Sequence, residues 1–440
     1  ELAEARRRGL RVLHRSAALA SLMAGRRVVA VTGTHGKTTV TSMIATVLLE
    51  TGAGPAYAIG GVLAATGTGA ADGPGRDFVA EADESDGSFL VYAPDVAVVT
   101  NIEADHLDNY GTEQAYRASF GKFAGRIRPG GVLVASADDP GTRELAAAAR
   151  ASGLRVVTFG TAADAGYQVA NVAASGMSTS LTIRCPADNS MKRASAAGRG
   201  QETVPGASRP RSFGVVEFDL RLGVPGHHNA LNAAAAFTAA VELGVDPDAA
   251  AAALAGFRGT ARRLEPKGEA GGVRVLDTYA HHPTELAADL RAARDIVGRG
   301  TAGSAGTAGA ETGSPGRVIA VFQPHLYSRT RIFAAEFGAA LGLADEAVVL
   351  DVYAAREDPE PGVTGRLVAD AVPRDPGSGS PGSGSPGSGC TVHYVPDFAD
   401  VPKLVAALAA PGDLVLTMGA GDITRMGPLV LAEIAGQAAV

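Results

Sequence analysis

Apolar and polar positions along most of this chain alternate in blocks that have the lengths of strands and helices. From residue 26 to about residue 256, short β-branched apolar runs are separated by stretches with helical periodicity. Uninterrupted apolar runs of this kind are typical of parallel strands that are covered on both faces. The pattern therefore predicts an α/β fold with a mostly parallel sheet, whose clearest strands span residues 28–31, 78–81, 96–100, 131–135 and 155–159.

A second α/β series follows residues 257–260, which we interpret as a linker. Its predicted strands span residues 273–276, 317–322, 346–350, 391–395 and 413–417. We expect residues 25–256 to form a central domain with a P-loop-type sheet, and residues 257–440 to form a Rossmann-like α/β C-terminal domain. Residues 1–24 predict a helix, a short strand at 10–13 and a second helix. Because this segment is too short for a domain, we interpret it as the remnant of an N-terminal domain.

Three segments lack the apolar positions that a packed element needs. The first segment, at about residues 186–211, is polar and rich in Gly, Ser and Arg. It separates two alternating β patterns at 180–183 and 215–220. Residues of about 301–316 and 375–389 are rich in Gly, Ser, Pro and Ala. Such sequence buries little apolar area, so we predict a flexible hairpin extension and two disordered inserts.

Composition and charge narrow the class of protein. The 440 residues are 46% hydrophobic and 19% charged, which is typical of a globular protein. A net charge of −7, with no dominant basic stripe, argues against nucleic acid as a partner. No apolar run is long enough to insert into a membrane. Cys185 and Cys390 are far apart and have no metal-ligand pattern around them, which fits a reducing cytoplasm. The sequence leaves the oligomeric state open.

The strand at 28–31 runs into a glycine turn that is followed by Lys-Thr and a helical pattern. This order of elements is how many proteins hold a nucleotide phosphate chain. Lys37 offers a charge for the outer phosphates and Thr38 a hydroxyl for Mg²⁺. Val31 stands where the longer Walker loop has a glycine, and a turn that merely closes a strand–helix unit is the alternative. The candidate phosphate loop consists of Gly33, Thr34, His35, Gly36, Lys37, Thr38 and Thr39.

Carboxylates and a histidine follow the next two predicted strands. Residues 81–86 hold four carboxylates, which either provide oxygen ligands for Mg²⁺ or mark an acidic helix start. Asp105 and His106 follow the strand at 96–100. A single histidine is more often structural than a ligand, but the carboxyl end of a strand in a nucleotide-binding sheet is a favourable position.

Three later loops carry amides, aromatic rings and cations. Asn229 and Asn232 lie one helical turn apart, where both amides are placed to meet an adenine edge, and a helix cap is the alternative for Asn229. The loops at 276–285 and 322–331 concentrate His, Tyr and Arg, which favours a carboxylate or phosphate ligand over a plain surface loop.

Five segments among these loops together resemble motifs of the Mur ligase family. The resemblance spans essentially the whole chain outside the low-complexity inserts, and the motifs have the family's order and spacing. The segments that carry it are Gly33-Thr34-His35-Gly36-Lys37-Thr38-Thr39, Glu81-Ala82-Asp83-Glu84-Ser85-Asp86, Thr100-Asn101-Ile102 with Asp105-His106, Gly226-His227-His228-Asn229-Ala230-Leu231-Asn232, and Tyr279 to Glu285.

The resemblance implies an ATP-dependent carboxylate–amine ligase of peptidoglycan precursor biosynthesis. Its substrates would be UDP-N-acetylmuramate and L-alanine, with the lactoyl carboxylate activated as an acyl-phosphate, and residues 1–24 would be the end of a UDP-binding domain. Lys37 would contact the outer phosphates, while Thr38 and Glu81 would hold Mg²⁺. His106 would hold a second Mg²⁺. The other implied contacts are with adenine, by Asn229 and Asn232, and with the acceptor amino acid, by Tyr279, His281 and Arg329.

Other functions stay open at this point. A family member that attaches a whole tripeptide to the same sugar nucleotide is expected to carry Tyr at the position of Ser85 and Phe at that of Tyr279. A nucleotide-binding remnant without activity is a second alternative. Leu326 replaces an arginine that many relatives carry, so one cationic contact to the substrate is either missing or supplied elsewhere, with Arg331 as a candidate.

Overall fold

The computed structural model describes residues 1–187, 214–298, 316–373 and 389–438, and it divides into two compact units. The first comprises the described residues of Glu1–Asn171, Leu181–Arg221 and Ala230–Phe257, and the second those of Val172–Ser180, Leu222–Asn229 and Arg258–Val440. The predicted hairpin extension and the two inserts lie outside the described residues except at their edges.

A mixed, mostly parallel sheet forms the centre of the first unit. Its described strands are β1 (Arg27–Thr32), β2 (Ala56–Leu63), β3 (Thr68–Ala71), β4 (Asp77–Glu81), β5 (Val96–Val99), β6 (Val132–Ser136), β7 (Arg155–Gly160), β8 (Tyr167–Ser175), β9 (Ser178–Pro186) and β10 (Val215–Leu222). Their order across the sheet is β10-β9-β8-β7-β6-β5-β1-β4-β2-β3. The apolar runs of the sequence correspond to β7, β6, β5, β1 and β4, and these neighbouring strands pair in parallel. The pairing of β2 with β3 is antiparallel.

Helices connect these strands and cover the sheet. They are α1 (Leu2–Arg7), α2 (Arg15–Leu22), α3 (Lys37–Glu50), α4 (Leu107–Tyr110), α5 (Glu113–Ala124), α6 (Pro140–Ala151), α7 (His227–Glu242) and α8 (Pro247–Ala255). Helix α3 is buried along almost its whole length, which its apolar and small side chains permit. On the other side of β1, Phe120 and Phe123 of α5 belong to the same buried cluster as Val28 and Val99.

The register of three neighbouring strands determines where the loops meet. Strand β1 lies between β4 and β5 and is parallel to both. Val31 is level with Glu81, and Thr32 is level with Val99. Because the carboxyl ends of parallel strands share one edge of a sheet, the loops after β1, β4 and β5 begin side by side.

The second unit has a six-stranded sheet among its described residues, with helices on both faces. Its strands are β11 (Glu265–Ala270), β12 (Val273–Thr278), β13 (Val318–Phe322), β14 (Glu346–Val349), β15 (Thr391–Tyr394) and β16 (Leu414–Met418), in the order β11-β12-β16-β13-β14-β15. Its helices are α9 (Pro283–Ile296), α10 (Tyr327–Leu341), α11 (Arg366–Ala371), α12 (Val401–Leu408) and α13 (Met426–Ala438). Within this second sheet, the β11–β12 pair is antiparallel and the other pairings of the described strands are parallel.

Successive side chains of β12 enter different cores, as the alternation of a strand requires. Leu276 belongs to the cluster that includes Leu290 of α9 and Phe337 of α10. Val275 belongs to the cluster that includes Val405 of α12 and Val430 of α13. Apolar residues on both faces explain why the sequence shows continuous apolar runs here.

The α/β prediction is confirmed, and the structure differs from it at three places. Residues 10–13, predicted as a strand, are not in one, and Leu10, Val12 and Leu13 are exposed with no sheet to pack on. Strands β2, β3 and β11 were not predicted, because glycine and exposed positions interrupt their apolar pattern. The helical pattern at 229–255 is two helices, broken at Gly244 (φ +90°).

No helix among the residues that the structure describes has the length and apolar character needed to cross a membrane.

Candidate active site

The candidate phosphate loop joins β1 to α3 through two glycines in left-handed backbone conformations. Gly33 has φ +129° and Gly36 has φ +82°. A Cβ on Gly33 would lie 2.2 Å from the Thr100 hydroxyl oxygen, so the close approach of the next loop also requires glycine there. Helix α3 begins at Lys37, which directs its first free N–H groups toward this turn. Such a turn at a helix N-terminus is suited to an anion.

The loop after β5 holds the phosphate loop in shape. The backbone N–H of His35 donates to Asn101 Oδ1 at 2.8 Å, and Asn101 Nδ2 donates to the His35 carbonyl at 3.2 Å. The Thr34 hydroxyl accepts from the Glu103 N–H at 2.9 Å and contacts its carbonyl at 3.1 Å. Thr34, Thr38 and Thr39 are buried. The predicted loop residues are therefore part of one rigid arrangement within the first unit.

The Lys37 ammonium lies at the centre of this arrangement. It donates to the carbonyls of Gly33 (2.8 Å) and Thr34 (3.1 Å) and to Glu84 Oε1 (2.9 Å). Burial alone lowers the pKa of Lys37, but the neighbouring carboxylates, Glu84 foremost, raise that pKa above its usual value. Lys37 is therefore a fixed positive charge at the mouth of the loop.

The side chains of Thr38 and Glu81 bring two oxygen atoms that could bind a metal ion together beside Lys37. The Thr38 hydroxyl donates to Glu81 Oε1 at 3.1 Å, and Glu81 Oε2 accepts from the Gly60 N–H at 2.7 Å. A hydroxyl and a carboxylate are the hard donors that Mg²⁺ prefers, and the ion normally needs only one or two of them beside substrate phosphates. The donor set at this position therefore fits magnesium.

His106 lies on the far side of the same cluster. Its backbone has φ +53°, and its N–H donates to Asp105 Oδ1 at 2.7 Å. Its Nε2 lies 3.4 Å from Asp105 Oδ2 and 3.9 Å from Glu84 Oε1. Imidazole is less suited to Mg²⁺ than oxygen ligands are, and the Asp105 carboxylate is an oxygen group within 3.4 Å of the His106 ring.

The two asparagines of α7 have different surroundings. Asn229 is buried and its Nδ2 donates to the Pro225 carbonyl at 2.7 Å, inside the first turn of α7 rather than at its cap. Asn232 lies against the phosphate loop. Its Oδ1 would be only 2.6 Å from a Cβ atom placed on Gly36. The sequence predicts adenine contact for both amides. Of the two, the structure shows Asn232 beside the phosphate loop.

We expect Gly36→Ala to weaken nucleotide binding more than it destabilises the fold. The left-handed backbone costs an alanine about 1–2 kcal/mol, and the new methyl group also displaces Asn232. Gly52→Ala is the matched control, since Gly52 has φ +74° at the other end of α3 with nothing within 4 Å of its Cβ position. Calorimetry with ADP should show a loss of roughly tenfold or more for Gly36→Ala alone, with similar thermal shifts for both variants. Equal ADP affinity in both variants would contradict the loop assignment.

A second group of predicted residues lies in the second unit, at the carboxyl ends of β12 and β13. The rings of Tyr279 and His281 have centroids 5.2 Å apart, and the guanidinium groups of Arg262 and Arg263 lie 4.8 and 5.4 Å from the Tyr279 ring centroid. The His281 N–H donates to Glu285 Oε2 at 3.0 Å. These contacts hold the Tyr279 and His281 side chains in one wall of the unit.

His325 extends this wall toward Arg329. Its ring centroid lies 6.2 Å from that of His281 and 5.7 Å from that of Tyr353, with which it stacks. Burial lowers the pKa of His325 to about 4, and the charges of His281, Arg329 and Arg356 contribute. Arg329 is itself buried. An arginine in such a wall is a group with which a carboxylate ligand can pair.

Arg331, the candidate replacement for the arginine that is absent at position 326, pairs with Glu360. Its Nε lies 2.9 Å from Glu360 Oε1, and its side chain is 54% exposed. Leu326 is buried with φ +73°, an uncommon conformation for a residue with a branched side chain. The cations that act on His325 are instead Arg329 and Arg356.

We expect His325→Gln to reduce the loss of stability in acid. A histidine whose folded pKa is depressed stabilises the fold above its unfolded pKa of about 6.5, and that contribution is lost as the pH falls toward 4. After allowance for the partial exposure of His325, this contribution to the free energy of unfolding is about 1 kcal/mol. Urea unfolding between pH 7 and 4 measures this change in the free energy of unfolding.

Asp289→Asn should have the opposite effect on the pH dependence of stability. Burial raises the pKa of Asp289 to about 7, so the stability that Asp289 contributes is lost as the pH rises. Parallel pH profiles for both variants would contradict these environments.

Some polar residues of the two sites were not identified from the sequence. Glu84 was one of four adjacent carboxylates, and nothing in the sequence separates it from Asp83 or Asp86. Arg262 needs φ +58° to reach Tyr279, which a sequence does not reveal. His228 and Asp289 lie 3.6 Å apart, although they are distant in the chain.

Comparison with known proteins identifies two family domains along the chain. Residues 31–240 match the Mur ligase middle domain, and residues 262–421 match the Mur ligase glutamate ligase domain. A protein of Kineococcus radiotolerans named UDP-N-acetylmuramate–L-alanine ligase is 52% identical over 435 residues, which cover 98% of this chain and 79% of that protein. The protein of the same name from Thermobifida fusca is 48% identical, with 98% of this chain and 80% of that protein covered.

A solved structure supports the same relationship. The crystal structure of a UDP-N-acetylmuramate–alanine ligase from Thermotoga maritima has a TM-score of 0.70 and 25% identity, and the match covers 100% of this chain and 82% of that one. The chain therefore belongs to the Mur ligase family. It is an ATP-dependent ligase.

Proposed function

We propose that the chain joins L-alanine to the lactoyl carboxylate of UDP-N-acetylmuramate, at the expense of ATP, in peptidoglycan precursor synthesis. The observation that carries this proposal is the phosphate loop, where Lys37 and the Thr38–Glu81 pair meet at a helix N-terminus. The name shared by relatives that are about half identical to this chain supports the two substrates.

The first unit holds the groups that phosphoryl transfer needs. A carboxylate is a poor acyl donor. Its oxygen therefore bonds to the γ-phosphorus of ATP while the bond from that phosphorus to the β–γ bridging oxygen breaks and ADP leaves, after which phosphate can serve as the leaving group. Lys37 would neutralise charge on the outer phosphates, and Thr38 with Glu81 would hold a Mg²⁺ ion that would offset more of that charge. His106, with Asp105 beside it, would hold a second Mg²⁺. Asn229 and Asn232 are assigned to the adenine end of the nucleotide.

The second unit supplies the wall for the acceptor amino acid. Arg329 is proposed to pair with the L-alanine carboxylate, while Tyr279 and His281 position its amine. The amine attacks the acyl carbon, the tetrahedral intermediate expels phosphate, and an amide bond remains. The protein contributes positioning and charge neutralisation rather than covalent chemistry.

The domain and compartment assignments follow the same reasoning. We assign residues 25–256 to a central ATP-binding domain and residues 257–440 to a C-terminal domain that binds the acceptor. We place the protein in the cytoplasm, where ATP and free L-alanine are available. Cys185 and Cys390 are buried free thiols, which agrees with a reducing compartment.

A substrate panel tests the proposal. The complete gene product is supplied with ATP, Mg²⁺ and UDP-N-acetylmuramate, and phosphate release is measured with L-alanine, glycine, L-serine or a tripeptide as the acceptor. We expect the highest kcat/KM with L-alanine. Preference for the tripeptide would support the recycling ligase instead, and phosphate release that no acceptor stimulates would refute ligation.

A further inference from the structure

Glu84 is a completely buried carboxylate beside the phosphate loop, and the proposed mechanism gives it no role. Lys37 Nζ lies 2.9 Å from its Oε1, and the Tyr116 hydroxyl donates to the same oxygen at 3.5 Å. The Thr32 hydroxyl donates to Oε2 at 3.3 Å. His106 Nε2 lies 3.9 Å from Oε1. The side chain has no exposed surface.

Keeping a carboxylate at this position is costly for the fold. The Glu84 side chain has no exposed surface, and its Oε1 is paired with the Lys37 ammonium. A buried ion pair of this kind is weak evidence for a stabilising role, because desolvation offsets the attraction between the two charges. The position of Glu84 therefore calls for a functional explanation.

The Lys37 ammonium has three N–H donors, and the structure shows three acceptors for them. Two are the carbonyls of Gly33 and Thr34 within the loop itself, and the third is Glu84. A phosphate oxygen can bond to Lys37 only if one of these acceptors gives way. Of the three, Glu84 is the one that is not part of the loop backbone and the one that repels a polyphosphate.

We propose that Glu84 is a resident anion that competes with the phosphates of the nucleotide for Lys37. This inference rests on the proposed function. Glu84 raises the free energy of the bound nucleotide, and it pairs with Lys37 again when ADP leaves. Glu84 is thus a positioning residue that acts through Lys37 and promotes product release.

Glu84→Gln is the direct test, because it keeps the shape and an acceptor oxygen while it removes the charge. We expect the Kd for ADP, measured by calorimetry, to fall about tenfold. The KM for ATP and kcat should fall together, because a more tightly held nucleotide leaves more slowly. A merely structural role would move the Kd in the other direction, since a disturbed loop binds nucleotide less well.

Thr32→Val is the matched control. It removes a neutral hydrogen bond to the same carboxylate and leaves the charge in place, so we expect ADP affinity to stay within about threefold of the wild type. Thermal melting without nucleotide shows whether each variant is folded. Unchanged or weaker ADP binding in folded Glu84→Gln would overturn the proposal, as would equal effects of the two substitutions.

A crystal structure of the unmodified protein with ADP and Mg²⁺ covers the case in which Glu84→Gln does not fold. Separation of Lys37 Nζ from Glu84 beyond hydrogen-bonding distance is the expected result, and a contact that persists at 2.9 Å would overturn the inference while leaving the proposed function intact. Failure of the unmodified protein to bind ADP at all would remove both.

Discussion

Lys37→Ala is expected to abolish ATP-dependent phosphate release, with a loss of about a thousandfold or more in kcat/KM. The Lys37 ammonium is the cation that the phosphate loop encloses, and its three hydrogen bonds fix it where outer phosphates would lie. No adjustment of the loop backbone can replace that charge. Phosphate release in the presence of all three substrates is the measurement.

Lys122→Ala is the control for this prediction. Lys122 lies on the exposed side of the last turn of α5 and should leave the rate unchanged. Circular dichroism of Lys37→Ala should show a folded protein, since the buried Glu84 carboxyl can take up a proton when its partner is lost. A folded Lys37→Ala protein with a rate near that of the wild type would refute the role of the loop.

Arg329→Ala should raise the KM for L-alanine about a hundredfold, which corresponds to about 3 kcal/mol. Arg329 is buried in the wall that contains His325 and His281, so a carboxylate that it binds is shielded from water. Arg329→Lys should recover only part of the affinity, because a lysine cannot form the planar two-point contact. The KM for ATP should stay nearly constant.

Arg331→Ala tests whether any nearby cation would do. Arg331 is on the same helix, but it is largely exposed and pairs with Glu360. Surface pairs of this type contribute little, so we expect no more than about a twofold change in the KM for L-alanine. If Arg331→Ala is as damaging as Arg329→Ala, or if Arg329→Ala changes the KM for ATP instead, the acceptor assignment is wrong.

Much of the fold could be predicted because buried parallel strands leave a strong pattern. Strands β1, β4, β5 and β6 are apolar on both faces, and each was located within one or two residues. Strands β2, β3 and β11 contain glycines or exposed positions, so their pattern does not differ from that of a loop. The opposite error occurred at residues 10–13, where an apolar segment has no sheet to join.

The candidate sites were predictable to the extent that chemistry follows directly after a strand. Glu81 is the last residue of β4, Lys37 and His106 follow β1 and β5, and parallel pairing brings these strand ends to one edge. The partner of Lys37 could not be predicted, because the choice among the carboxylates after β4 depends on how that loop turns. Likewise, Asn232 was assigned to adenine from helical spacing, whereas its packing against Gly36 depends on the position of α7.

The most direct test of the account follows one oxygen atom. UDP-N-acetylmuramate with ¹⁸O in its lactoyl carboxylate is incubated with the complete gene product, ATP, Mg²⁺ and L-alanine, and the released phosphate is analysed by mass spectrometry. If the carboxylate oxygen bonds to the γ-phosphorus and leaves with it, one ¹⁸O appears in phosphate for each amide formed. Phosphate without ¹⁸O, released while the L-alanine adduct accumulates, would contradict an acyl-phosphate ligase.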